Sequence, residues 1–268
     1  MAIPAAIFCG NRPDHTERLL ASLYRCQDID QLSIHVFCDG AHDADDQPLV
    51  EETQKRVMDS HLPVLTCHFA KEQQGASHQL IAGVKQLLQD HDRVIVLEDG
   101  MELAPQGITF LLQSLERFAD SAQLMQVSAW SYPLAPDSPC YSLRLAETWA
   151  WGTWKRAWDR FDDDAARLLE RIEACGRLDD FDLGGAYSFS SLLDDHARGA
   201  ISSWAICWYA SMFLNNGLCL YPGQTLARRG DPMDPFASEL ATGPIALPDS
   251  LPAESAETRA DIASFYRG

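Results

Sequence analysis

The chain has 268 residues, long enough for one large domain or two small ones, and its 46% hydrophobic content supports a substantial core and excludes disorder over most of its length. Lys and Arg number 21 against 39 Asp and Glu, a net charge of −18, which repels phosphate backbones and anionic membrane surfaces and so argues against nucleic acid as a partner. The eight cysteines form no CxxC pair and no apolar run reaches about 18 residues, so neither a zinc knuckle, a disulfide framework nor a transmembrane helix is expected, and a reducing cytosol fits best.

Residues 5–9 read as a short buried strand rather than a leader, because no basic segment precedes the apolar run and it stops in the turn Gly10, Asn11, Arg12, Pro13. Leu19, Leu20 and Leu23 then fall at helical spacing. A second strand over 32–38 stops at Asp39 and Gly40 and leads into a charged amphipathic helix over 48–60. Residues 64–69 make a third strand, 79–89 a helix with Leu80, Val84, Leu87 and Leu88 inward, and 93–97 a strand buried on both faces. This alternation predicts an α/β fold with a mostly parallel sheet, whose ligands lie beyond the carboxyl ends of the strands, where Asn11, Arg12, Asp39 and Glu98 fall. A helix over 105–118 and a strand over 125–129 follow, and then a loop rich in Pro, Ser and Asp over 133–141 suggests a subdomain boundary. Helices are expected over 165–175 and 203–215, with a Gly217 stop and a short strand at 219–221. The tail from Asp231 reads as a poorly packed extension with a last helix near 256–266. The division is thus a domain over 1–230, with halves at about 1–130 and 131–230, and an extension over 231–268.

The sharpest chemical feature is the strand Val94–Leu97 that ejects two adjacent carboxylates, Glu98 and Asp99, at its end. Acids placed there can accept a ribose or sugar hydroxyl or hold a divalent metal that clamps a diphosphate; a solvated acidic turn would look the same. Trp149, Trp151, Trp154 and Trp158 mix spacings of two, three and four, so they cannot share one face. Trp154 and Trp158 suit a core stripe, and Trp149 or Trp151 could offer a flat face to a sugar ring. Cys207, between two tryptophans on an apolar helix, reads as a packed structural thiol, and His196 beside Asp194 and Asp195 as polar surface.

The order of four stretches resembles the GT-A glycosyltransferases, in particular family-2-like bacterial sugar transferases and the N-acetylglucosaminyltransferase I group: Cys9 to Pro13, Phe37 to Gly40, Val96 to Pro105 and Trp149 to Trp154, with the helix around Trp204 to Trp208 as a fifth. The resemblance runs from about Ile3 to Leu226. It implies a nucleotide-diphospho-sugar transferase fold, with a central sheet flanked by helices and an α-rich acceptor side. It further implies nucleotide binding by Arg12 and Asp39, with Glu98 on the sugar or ribose and Asp99 on the ribose. The resemblance implies a UDP-sugar donor and a glycan acceptor, in bacterial surface glycan synthesis; the residue types suit it, since an aspartate can accept the uracil N3 proton and a guanidinium can brace a base or phosphate with paired donors.

Departures from that pattern are as informative. Gly100 stands where the family places the acid that ligates Mn2+ or Mg2+, leaving Asp99 and Glu102 as weak metal candidates, so a metal is not expected. Ser202 and Ser203 occupy the place of the catalytic aspartate, and a neutral hydroxyl is no general base without a partner; Asp231 and Asp195 are weak substitutes. No histidine follows His196, so the family's terminal histidine is absent too. If the chain is active, Arg12, Arg228 or Arg229 must neutralise the leaving diphosphate, with Trp149, Trp151 and Trp204 as acceptor or sugar platforms. The expectation is a glycosyltransferase-like protein with weak, metal-independent or lost catalysis, or alternatively a non-catalytic relative that binds a nucleotide, glycan or protein. A dehydrogenase is disfavoured because no GxGxxG follows any strand.

Overall fold

The computed structural model describes residues 2–134, 136, 138–230 and 238–267. The first half alternates β1 (Ile3–Cys9), α1 (Pro13–Leu23), β2 (Leu32–Cys38), α2 (Gln47–Asp59), β3 (Leu65–Phe69), α3 (Ala76–Asp90), β4 (Arg93–Glu98), β5 (Met101–Leu103), α4 (Gly107–Arg117) and β6 (Leu124–Ser128). There follow β7 (Cys140–Leu143), β8 (Ala150–Trp154), α5 (Lys155–Trp158), α6 (Ala165–Ala174), α7 (Leu178–Phe181), α8 (Phe189–Ala197), α9 (Trp204–Leu214), β9 (Leu218–Pro222), β10 (Ala227–Arg229) and α10 (Ala256–Arg267).

Eight strands form one sheet in the order β3-β2-β1-β4-β8-β6-β9-β7, in which β8 and β7 run against the rest, while β5 and β10 pair separately. Helices flank this sheet, as the α/β reading expects: α3 packs on β1 and β4, α4 on β6 and β8. The apolar stretch Val94–Leu97 is wholly buried because the sheet is covered on both faces there.

The order turns at β1, which has β2 on one side and β4 on the other: the connection from β1 leads to β2, whereas that from β3 returns past β1 to β4, and a crevice opens at the carboxyl edge between the two directions. Register fixes what lines that edge. Cys9 pairs with Cys38 and Phe8 with Glu98. The Asp39 N–H donates to the Cys9 carbonyl at 3.0 Å and the Asp99 N–H to the Phe8 carbonyl at 2.9 Å, so the two aspartates leave consecutive residues of one strand.

Residues 149–158 depart from the sequence reading. Trp151 and Trp154 lie on strand β8, three residues apart and therefore on opposite faces of the sheet. Trp154 donates to the Leu115 carbonyl on the α4 side (3.0 Å), while Trp151 stacks with Trp204 at 5.5 Å between ring centroids and lies 6.0 Å from Trp208. Trp208 donates to Gln126 Oε1 at 2.6 Å. This indole core seats α9 on the sheet. Cys207 is wholly buried within it, its thiol pushed up to about 12 by desolvation, which fits a packed structural thiol.

The described residues of the tail are also anchored, in contrast to a poorly packed extension. Ile262 and Ala263 of α10 are buried, Arg259 bonds Asp180, and Arg144 bonds Glu254 at 2.7 Å. Glu254 and Arg259 of the tail are thus held in ion pairs. No helix among the described residues is long and apolar enough to cross a membrane.

Candidate functional site

Beyond β1, β2 and β4 lies a cleft of about 220 Å3 lined by Arg12, Asp39, Glu98, Asp99 and Trp204, together with Gln79 from α3. Four residues separated in sequence by up to 87 positions are brought to one hollow because parallel strands end there together.

Arg12 closes the turn after β1 and pairs with Asp99 Oδ1. The two ends differ: the Arg12 side chain is 54% exposed and that of Asp99 only 3%, so the guanidinium holds a buried carboxylate with one edge and faces the cleft with the others. Asp99 Oδ2 is buried without a hydrogen-bond partner. Burial raises the Asp99 pKa, and Arg12 opposes the rise. Glu98 is driven further, to about 7, first by burial and then by the Asp99 charge, against the opposing fields of Arg12 and Arg229. Two adjacent acids therefore share the cleft with Arg12, and the charge of Arg229 reaches Glu98 as well.

Asp39 serves a different end. Its Oδ1 accepts the N–H groups of Gly40 (2.9 Å) and Gln74 (2.7 Å), and its Oδ2 that of Gly75 (2.9 Å). The carboxylate thereby pins the loop ahead of α3 to the end of β2. Gly40 is needed because a Cβ there would lie 2.3 Å from the Glu72 backbone. With three acceptor positions taken, Oδ2 keeps one direction for a ligand donor.

Beside Asp99 stands His15. Gly100 has φ +83°, and a Cβ on it would lie 2.8 Å from His15 Nδ1. The place of the family's metal-binding acid is thus filled by an imidazole and closed by backbone conformation. Glu102 accepts from Arg228 Nε (2.9 Å) and Nη2 (2.7 Å) and from Arg25 (3.2 Å), so its charge is already met. Among the described residues no three His, Cys, Asp or Glu side chains converge as a metal site.

The arginines of β10 divide. Arg228 is paired with Glu102, its Nε and Nη2 both donating to Oε2. Arg229, on the opposite face of the same strand, sits 5.2 Å from the Trp149 ring centroid and close enough to Glu98 to lower its pKa. Of the three tryptophans expected as platforms, Trp151 is excluded, because it is fully buried in the indole core and has no face to offer. Trp204 lines the cleft but is buried, at 7% exposure, while half-buried Trp149 lines a neighbouring cavity.

Ser203 is the N-cap of α9 and accepts from the Ile206 N–H at 3.4 Å, so its hydroxyl is occupied structurally. Asp195 lies near the end of α8 and lines neither this cleft nor the cavity beside it. His196 accepts from the Ser203 N–H at 3.4 Å, tying α8 to α9. Asp231 lies outside the described residues. His15 and Arg229 are the site residues that motif reading missed or left undistinguished: His15 sits in a helix start like many surface histidines, and only the strand-end geometry sets it beside Gly100.

No family model matches the chain. Among solved structures, a mannosyltransferase from Pyrobaculum calidifontis, in complex with GDP-Man and Mn2+, matches with 12% identity over 79% of this chain and 74% of its own, at a TM-score of 0.44. TarS of S. aureus matches with 15% identity over 48% of this chain and 21% of its own (TM-score 0.33), and a cytidylyltransferase from Leptospira borgpetersenii with 8% identity over 60% and 64% (TM-score 0.39). The chain thus spans about a fifth of the second protein and under two thirds of the third. At such scores, function is read from the cleft itself.

Proposed function

We propose that the cleft binds the nucleoside diphosphate of a sugar donor, UDP-sugar in the first instance, and that the chain is a glycosyltransferase-like protein of glycan synthesis acting without a metal. The observation that carries this reading is the convergence of Arg12, Asp39, Glu98 and Asp99 at the carboxyl edge beside the β1 switch point. Arg12 presents the unpaired edge of its guanidinium to a diphosphate, and Arg229 adds a second positive charge near Glu98. The free direction of Asp39 Oδ2 suits the N3 proton of uracil, and Glu98, neutral below about pH 7, can accept or donate to a ribose or sugar hydroxyl.

A second reading, binding without turnover, is favoured by one specific observation: Ser203, in the place of the expected base, is used as a helix cap. The two separate in one assay. Release of UDP from UDP-glucose or UDP-N-acetylglucosamine, with and without Mn2+, is expected to be slow and unchanged by the ion. Rapid release that requires Mn2+ would contradict the metal-free reading, and binding with no release would select the non-catalytic one.

A further inference from the structure

A second cavity, of about 510 Å3, lies beside the cleft across the start of α9: Trp204 lines the cleft, whereas Ser203, Ala205 and Ile206 line the cavity. Trp149 lines the cavity too, and the Arg229 guanidinium lies 5.2 Å from its ring centroid. The volume lies within the roughly 300–1,000 Å3 of small-molecule sites.

Its wall is aromatic. The Tyr187 ring lies 4.6 Å from Phe189 and 4.9 Å from Tyr266, and at 38% exposure Tyr187 offers a usable face. A carboxylate joins these rings: Tyr132 and Tyr266 both donate to Glu147 Oε1, at 2.9 and 3.0 Å. The Glu147 backbone N–H donates to the Tyr221 hydroxyl at 3.1 Å, and its carbonyl accepts from Gln126 at 2.6 Å, so the acid is held from both ends. Tyr266 belongs to α10, in the tail beyond the stretch that resembles the sugar transferases.

Flat aromatic faces beside a fixed carboxylate hold a pyranose ring, whose C–H face lies on the rings while a hydroxyl donates to the acid. The same ingredients can cage an ammonium ion. Two features disfavour the cation: the Arg229 guanidinium already places positive charge against the ring of Trp149, and two phenol donors share the Glu147 charge.

We propose that this cavity binds a pyranose ring and is the acceptor subsite of the adjoining cleft, completed by the C-terminal helix. Its role as acceptor site rests on the nucleotide-sugar reading of that cleft, whereas ring binding stands without it. The test is saturation-transfer NMR on the full chain with methyl glycosides of glucose, galactose, mannose and N-acetylglucosamine, with tetramethylammonium as the competing probe. At least one glycoside is expected to receive saturation, and Tyr187→Ala, at an exposed position, to weaken it roughly three- to tenfold while leaving UDP affinity unchanged. Glu147→Gln is expected to weaken it as well. The proposal is overturned if no glycoside binds, if both variants bind as tightly as the parent, or if tetramethylammonium alone occupies the cavity. A chain that binds a glycoside but not UDP keeps the ring site and removes the donor reading; one that binds UDP but no glycoside does the reverse.

Discussion

The guanidinium of Arg12 rests on Asp99, a carboxylate that leaves the neighbouring strand of the sheet and whose second oxygen has no protein partner. This ion pair joins stability to function, since the same arginine neutralises a buried acid and faces the cleft.

Arg12→Ala leaves the Asp99 charge buried alone. Because Arg12 is half exposed, the expected cost is moderate, about 1–2 kcal/mol, and it is largely recovered when Asp99→Asn is added. Urea denaturation of the single and double variants measures this, and equal costs for Arg12→Ala with and without Asp99→Asn would show the pair to be uncoupled.

The two substitutions that would rebuild the family pattern are expected to behave oppositely. Gly100→Asp meets both φ +83° and His15, and should destabilise by about 1–3 kcal/mol without creating a metal site. Ser203→Asp keeps a good N-cap for α9 and should stay within about 0.5 kcal/mol of the parent. Thermal melts with and without Mn2+ distinguish them; a Mn2+-dependent rise in Gly100→Asp would refute the account of that position.

Glu98 sets a pH dependence. Its folded pKa, about 7, lies above the usual carboxylate value, so between the two the folded state binds more protons than the unfolded one. The stability associated with Glu98 is therefore fully present below the unfolded value and is lost as pH rises through about 7. Asp99 and Glu147 are shifted in the same direction, each first by burial. Glu98→Gln should flatten the decline in denaturation midpoint between about pH 5 and pH 8, and a profile identical to the parent's would count against a raised Glu98 pKa.

Much of the cleft was legible because parallel strands stop at polar residues that mark their own ends: Asp39, Glu98 and Asp99 follow apolar runs directly, and Arg12 stands in the turn after β1. What they pair with was not legible. Asp14, two residues from Arg12, pairs with Arg56 at 2.8 Å, while Arg12 reaches Asp99, 87 residues away. The second half was harder, because β8 carries tryptophans on both faces and shows no alternation of polar and apolar positions. Glu147, in an ordinary-looking stretch before β8, gains meaning only when Tyr132 and Tyr266 converge on it from distant segments.

Removal of residues 256–268 tests the anchoring of the tail. It uncovers Tyr132 and Phe189 and breaks the Arg259–Asp180 bond, and should cost about 2–4 kcal/mol. A truncated chain with the parent's denaturation midpoint would show α10 to be dispensable.

Calorimetric titration of UDP into the parent chain and Arg12→Ala, each with and without Mn2+, probes the cleft most directly. The parent is expected to bind UDP equally well in both conditions, and Arg12→Ala to lose roughly tenfold or more in affinity, about the loss of one charge-assisted contact to phosphate. Binding that appears only with Mn2+, or that is untouched by Arg12→Ala, would contradict a diphosphate site held by protein cations.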